Sequence, residues 1–518
     1  MMKESGLLLF LIWTCIPVAA SEYVAEVNGE MVRGESYGAE SEAVFRGLPY
    51  AQAPSGANRW RAPQAHQREP GERSALNFGP ACIQNDRLAS YYVLVGEPWG
   101  VQSEDVPHVG EVSEDCLSLN VWTPNWGLNA EPLPVMVWIH GGSNNVGWSS
   151  QADYDGTHLS RQGVVVVTIN YRLGIFGFLA HPQLTWESAN GSSGNYGLLD
   201  QIAALSWVQE NIGALGGDPE RVTIFGESAG SLDVLSLMAS PLADGLYHRV
   251  IAQSGAPGNS VATLRQAEDQ GNQIGLEMNQ RSIHEMRKTP ASKLLEAGST
   301  RAWGPINDGW VLPLPANEAF ELGRQHDVPL MIGSTADEFT GLTYYLPEIE
   351  KTVTGFNTWA ESLGSVSPAL KKAYPVVKDE DAWSAMVQIY TDLAFTCPSI
   401  SIAQAMSKNE RTVFLYQFTR VLEGGEALGS FHGSDIPYVF NLPSAQIPWG
   451  PTDRLLAKSV MAYWTQFATT GDPNGGDRQH WPQYKAEQSA YMTFGDNLAV
   501  GHNLRAAKCE ALSGFAVR

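Results

Sequence analysis

Short runs of β-branched and aliphatic residues alternate along this chain with amphipathic stretches of ten or more residues, the pattern of strand-helix-strand units around a parallel sheet. The runs at 135–139, 164–170, 222–225, 250–253, 329–333 and 413–418 are predicted strands, nearly continuous in apolar character as strands covered on both faces are. Residues 200–213 read as a helix, with Ile202, Leu205, Trp207, Val208 and Ile212 near helical spacing and directed at the core. Residues 23–45 follow a different rule. Apolar and polar positions alternate there between turn signals at Asn28-Gly29 and Tyr37-Gly38, which predicts antiparallel strands. The predicted class is α/β: a central, mostly parallel sheet flanked by helices, with a small antiparallel sheet at the N-terminus.

Length alone would permit several domains, but 518 residues run without a Gly/Ser tract, a charge block or an internal repeat. One domain over 21–518 is expected. A content of 43% apolar and 17% charged residues supplies a sizeable core and excludes a disordered chain. The net charge of −22 excludes a nucleic-acid partner, which needs clustered Lys and Arg, and disfavours anionic membranes.

Ahead of that domain, Lys3, an apolar stretch over 7–19 and the small residues Val18-Ala19-Ala20 form a leader for export, with cleavage expected after Ala20. The apolar stretch is too short for a permanent anchor, and no later segment reaches the roughly 20 apolar residues of a membrane helix. Loss of Cys15 with the leader leaves four of the five cysteines, an even number that suggests two disulfides in an oxidising compartment. Three pairings are possible. Cys82 with Cys116 and Cys397 with Cys509 is the one that closes a short loop near the front and ties the tail to the body.

A serine raised on a sharp strand-to-helix turn needs small residues two before and two after it, the G-x-S-x-G elbow of α/β-hydrolases. The chain holds two such pentapeptides, and chance would supply on the order of 0.4 in this composition, so context must decide between them. Gly34-Glu35-Ser36-Tyr37-Gly38 lies among alternating strands with no helix after it and reads as a hairpin turn. Gly226-Glu227-Ser228-Ala229-Gly230 follows a buried-strand run and precedes a helical pattern at 232–239. Ser228 is therefore the candidate nucleophile, and the N–H of Ala229, at the start of that helix, is free to donate to a developing oxyanion.

In this fold the partners follow in the order Ser, acid, His. Of the eleven histidines only His432, His480 and His502 lie far enough beyond Ser228. His432 occupies the glycine-rich loop Gly429-Ser430-Phe431-His432-Gly433-Ser434-Asp435, whereas His480 sits in a Pro/Gly-rich loop and His502 beyond the last predicted strand. The acid should follow the strand ending at Gly333, where Asp337 and Glu338 both qualify and spacing does not choose. Val135-Met136-Val137-Trp138-Ile139 leads into His140-Gly141-Gly142-Ser143, whose glycines let backbone N–H groups approach a substrate oxygen.

These residues, with Phe45-Arg46-Gly47-Leu48-Pro49-Tyr50-Ala51, Ser113-Glu114-Asp115-Cys116-Leu117, Asn195-Tyr196-Gly197-Leu198-Leu199-Asp200-Gln201, Gly216-Gly217-Asp218-Pro219, Gln253-Ser254-Gly255 and Phe431-His432-Gly433, resemble the type-B carboxylesterase family from about Val27 to Trp481. The resemblance implies an α/β-hydrolase fold, a catalytic Ser228, His432 and Glu338, with Glu338 rather than Asp337 as the acid, and oxyanion donors at Gly142, Ser143 and Ala229. It also implies the Cys82–Cys116 bridge, with weaker support for Cys397–Cys509, and a supporting role for Ser254 in holding the acid.

Glu227 is expected beside the reacting groups. Two departures from the family pattern stand out: Ser143-Asn144 where Gly or Ala and an aromatic are usual, and Asp233 in place of a small hydroxyl residue. Asp233 is expected either to join a buried hydrogen-bonded network or to perturb the base. Asn144 and Asn145 point to a polar pocket wall and a polar or bulky ester. Trp99 lies too early in its loop for the choline-binding tryptophan of cholinesterases.

The expected activity is cleavage of carboxylic esters through an acyl-enzyme, with no metal or organic cofactor and a monomeric or homodimeric protein. The alternatives are a lipase for long-chain acylglycerols and a non-catalytic cholinesterase-like binding protein. Pocket shape is expected to come from loops within 282–310 and 340–383.

Overall fold

The computed structural model describes residues 23–68, 71–127, 131–258 and 261–513. The expected leader, its cleavage point and Cys15 lie outside them. An 11-stranded sheet crosses the molecule. In chain order its strands are β1 (Glu35–Ser36), β2 (Ala43–Pro49), β3 (Ser118–Thr123), β4 (Leu133–Ile139), β5 (Val165–Ile169), β6 (Gly217–Glu227), β7 (Arg249–Gln253), β8 (Leu330–Thr335), β9 (Val413–Phe418), β10 (Ala490–Phe494) and β11 (Ala499–His502). Their order across the sheet is β11-β10-β9-β8-β7-β6-β4-β5-β3-β2-β1. The run from β10 through β5 is parallel, and β11, β3, β2 and β1 attach antiparallel at the edges.

The parallel strands are apolar throughout because alternate side chains feed two separate cores. Val137, Ile139, Ile224, Val250 and Ile332 join a cluster with Leu205 and Val208 of helix α1 (Tyr196–Asn211) and with Leu235 of helix α2 (Ala229–Ala239). Trp138, Phe225, Ile251, Met331 and Phe414 point the other way, onto Val460, Trp464 and Phe467 of helix α3 (Pro451–Thr470). Helix α1 begins earlier than the expected position 200 and ends in a one-turn 3-10 segment, Ile212–Leu215, closed by Gly216 at φ +84°.

The N-terminal stretch divides. Val24–Val27 and Glu30–Arg33 form a hairpin through Asn28 (φ +50°) and Gly29 (φ +73°), as the Asn-Gly signal predicts, and Glu72–Ser74 adds a third, parallel strand. Its continuation, β1 and β2, instead becomes the edge of the large sheet. His502 is the last residue of β11 rather than beyond the strands, and it is exposed, as is His480. Disulfides join Cys82 to Cys116 and Cys397 to Cys509. Among the described residues no helix is long and apolar enough to cross a membrane. Because β4, β6, β8 and β9 run parallel, the loops after all four leave from one rim of the sheet, where ligand sites of open α/β sheets form.

Candidate active site

Ser228 stands between β6 and α2 with φ +59° and ψ −123°, a conformation unfavourable for a residue with a side chain. Its neighbours show why the turn needs glycine. A Cβ on Gly230 would lie 2.0 Å from the Ile139 carbonyl oxygen, and one on Gly226 would lie 2.7 Å from the same atom. The turn is held by the Ser228 N–H donating to the Gln253 carbonyl at 2.9 Å. The other pentapeptide does none of this: Ser36 ends β1, and its hydroxyl bonds the carbonyls of Gly38 and Ala39 within the hairpin turn.

His432, carried by the long loop after β9, places Nε2 2.8 Å from Ser228 Oγ and Nδ1 2.6 Å from Glu338 Oε2. Glu338 is fully buried in a single 3-10 turn after β8, and its Oε1 accepts the Thr335 N–H at 2.8 Å. Asp337 faces elsewhere: its carboxylate accepts the Ser430 N–H at 3.0 Å and stitches the histidine loop to the acid loop. The Tyr91 hydroxyl donates to the His432 carbonyl, and the Phe395 ring packs 4.9 Å from the imidazole. Sequence reasoning missed Tyr91, Phe395 and the Thr335 N–H; a backbone donor and two remote aromatics leave no local signal.

A second carboxylate, Glu227, lies 3.3 Å from His432 Nε2. Burial favours neutral His432, but Glu227, Glu338 and Asp435 around it outweigh burial and raise the imidazole above its ordinary range. Burial likewise raises Glu227, and it pushes Asp435 up to about 6 although the Gln253 amide donates to it at 2.9 Å. Ser254 is fully buried at the end of β7 with φ +51°, and its hydroxyl has no hydrogen-bond partner among the described residues. Glu338 is held by the Thr335 N–H, and the Ser254 hydroxyl, expected to hold it, does not bond it.

After β4 the chain turns through Gly142 (φ +103°), Ser143 (φ +56°) and Asn144 (φ +55°). A Cβ on Gly142 would meet the Val146 carbonyl oxygen at 2.1 Å. No protein acceptor among the described residues takes the N–H of Gly142 or Ser143, and Ala229 is the first helical residue, whose N–H has no intrahelical partner. His140 behind this loop is fully buried, and burial holds it down near 4, so it is neutral.

Ser228, His432, Gly142 and Ser143 border a cavity of about 330 Å³ walled mainly by apolar and aromatic side chains, among them Tyr91, Val95, Trp303, Phe339 and Phe395. The expected loops contribute Leu295, Trp303, Leu342 and Tyr345 to it, and segments near 83–107 and 422–449 complete it. Trp99 is not part of the wall; its indole donates to the Glu423 carbonyl. Asn145 lines the cavity, but Asn144, expected there too, is buried and turned inward to Asp233. Asp233, also fully buried, accepts from Asn144 Nδ2 at 3.1 Å and from Gln201 Nε2 at 2.6 Å. It is therefore part of a buried network and is not among the groups around His432.

A large, mostly parallel sheet of this topology with helices on both faces is the α/β-hydrolase fold. The family model described as "Carboxylesterase family" matches residues 21–512, and the chain belongs to that family. It is 36% identical over 520 residues to a fumonisin B1 esterase of Sphingopyxis macrogoltabida, covering 96% of this chain and 92% of that protein. It is 31% identical over 539 residues to carboxylesterase 1D of Rattus norvegicus, covering 94% and 91%. Among solved structures, a thermophilic PNB esterase superposes with a TM-score of 0.81 at 30% identity, covering 95% of this chain and all of that one. The protein is a carboxylic ester hydrolase.

Proposed function

We propose that the protein cleaves carboxylic esters through an acyl-enzyme, with Ser228 as nucleophile, His432 as general base and acid, and Glu338 as the group that orients the imidazole. The observation that carries this reading is the unbroken chain from Ser228 Oγ through both imidazole nitrogens to Glu338, with Ser228 and His432 lining the cavity. Ser228 Oγ attacks the ester carbonyl carbon while its proton passes to His432 Nε2. The carbonyl oxygen becomes an oxyanion and takes hydrogen bonds from the N–H groups of Gly142, Ser143 and Ala229; loss of one such donor lowers the rate about a hundred- to a thousand-fold. His432 then returns the proton to the leaving alcohol. Water attacks the acyl-serine with the same base, releasing the acid and restoring Ser228. No metal or organic cofactor enters these steps.

The mostly apolar wall suits esters with sizeable hydrocarbon or aromatic parts, with Asn145 and Ser143 offering polar contacts close to the carbonyl. Fumonisin B1 belongs in the substrate panel because one similar protein is named for it. The two disulfides support an exported protein, in keeping with the leader over residues 1–20. The test is a panel of aryl, aliphatic and phenolic-acid esters and fumonisin B1, assayed with wild type and Ser228→Ala. Hydrolysis by wild type and none by the variant is expected; activity persisting in the variant overturns the assignment.

A further inference from the structure

Three consecutive residues of the loop after β4 have positive φ, and two of them, Ser143 and Asn144, carry side chains. Such a backbone persists only where its surroundings hold it. The hold is visible on both sides of Asn144. Its carbonyl accepts the Gly174 N–H at 2.7 Å, and its side-chain amide donates to Asp233 Oδ1. Asp233 sits on α2, the helix that Ser228 opens, and its second oxygen is fixed by Gln201 of α1. The loop that presents Gly142 and Ser143 is thus tied to the rigid element that carries the nucleophile.

Asn144 and Asp233, 89 residues apart along the chain, are in direct contact. Each amide spends its NH2 on the carboxylate and leaves its own carbonyl oxygen, Asn144 Oδ1 and Gln201 Oε1, without a partner among the described residues. Burial pushes the Asp233 carboxyl up to about 7, against the two donors that favour its anion.

We propose that Asp233 is a positioning residue that, through Asn144, sets the N–H groups of Gly142 and Ser143 at the distance the reacting oxyanion requires from Ser228. The inference rests on the oxyanion role given to those N–H groups above. Asp233 touches no substrate; it acts through the loop. Asp233→Ala removes both carboxylate oxygens, so the tethers to Asn144 and to Gln201 break together. The paired change Asn144→Asp with Asp233→Asn restores both: the amide at 233 donates to the carboxylate at 144 and still accepts from Gln201.

The experiment measures kcat and KM on a para-nitrophenyl ester together with inhibition by a trifluoromethyl ketone, whose adduct with Ser228 carries an oxyanion. Asp233→Ala should lower kcat about ten- to a hundred-fold, less than outright deletion of a donor. The ketone should weaken by the same factor while KM stays near wild type, and the paired variant should recover most of both. Unchanged kcat, a fall in kcat without weaker ketone binding, or a paired variant no better than Asp233→Ala overturns the proposal. Should Asp233→Ala not fold, Asn144→Gly carries the same test, since glycine accepts the left-handed backbone and lacks the side chain that makes the tether; full activity there is equally fatal. Activity surviving in Ser228→Ala would instead sink the functional reading itself.

Discussion

Glu338→Gln separates orientation of the base from its mere presence. The Thr335 N–H that meets Glu338 Oε1 at 2.8 Å belongs to the backbone of β8 and can only donate. A glutamine in the same place must therefore give its oxygen to Thr335 and present its NH2 to His432 Nδ1. That imidazole nitrogen must then accept, so the proton moves to Nε2, the atom 2.8 Å from Ser228 Oγ. A protonated Nε2 cannot take the serine proton. The equivalent tautomer inversion in a serine protease costs about 10⁴ in kcat, or roughly 5.4 kcal/mol of transition-state stabilisation.

Glu338→Gln should therefore lower kcat about 10⁴-fold with KM and thermal midpoint little changed, because the side chain keeps its shape and both bonds, the one to His432 reversed in direction. Asp337→Asn is the control. Among the described residues its carboxylate bonds only the loop N–H of Ser430, and loss of kcat should stay within about ten-fold. Initial rates on para-nitrophenyl acetate, with enzyme concentration set by active-site titration, measure both. A Glu338→Gln enzyme within ten-fold of wild type, or a larger loss in Asp337→Asn, would refute the assignment of the acid.

Glu227→Gln should move the acid limb of the pH profile of kcat/KM to lower pH. A carboxylate beside Nε2 stabilises imidazolium, so removing its charge lowers the pH at which neutral, basic His432 appears; a limb that stays or rises contradicts the stated contact. Ser36→Ala should leave esterase rates at wild-type values, since that hydroxyl only closes a hairpin turn; a rate loss with unchanged stability would reopen the choice of nucleophile. Replacing Cys397 and Cys509 with serine removes a bridge spanning 112 residues and should lower stability by about 2–4 kcal/mol in denaturant titration; no change would mean that the tail is anchored without it.

The central strands were legible because their residues are apolar on both faces, which only a doubly covered sheet requires. β3 escaped notice for the opposite reason. It carries Asn120 in its middle, buried and spent on the Gly47 N–H, Ser149 and Thr168, so its polarity hid a fully buried strand. β10 and β11 are short and half-covered, and β11 keeps an exposed face. At the candidate site, Ser228 and His432 stood out through the local chemistry of turns, whereas spacing left the adjacent carboxylates Asp337 and Glu338 open; the resemblance chose Glu338, and one 3-10 turn points it at His432. The link between Asn144 and Asp233 could not be read at all, because each looked like a separate oddity until the fold brought them within a hydrogen bond.

The most direct test of the nucleophile is to trap the acyl group. Rapid acid quench of the enzyme during turnover of a para-nitrophenyl acetate excess, followed by proteolysis and peptide mass spectrometry, should find one acetyl group on the peptide containing Ser228. The same label should be absent from His432→Ala and from Ser228→Ala. An acetyl group on any other residue, or steady turnover with Ser228 never modified, would contradict the account.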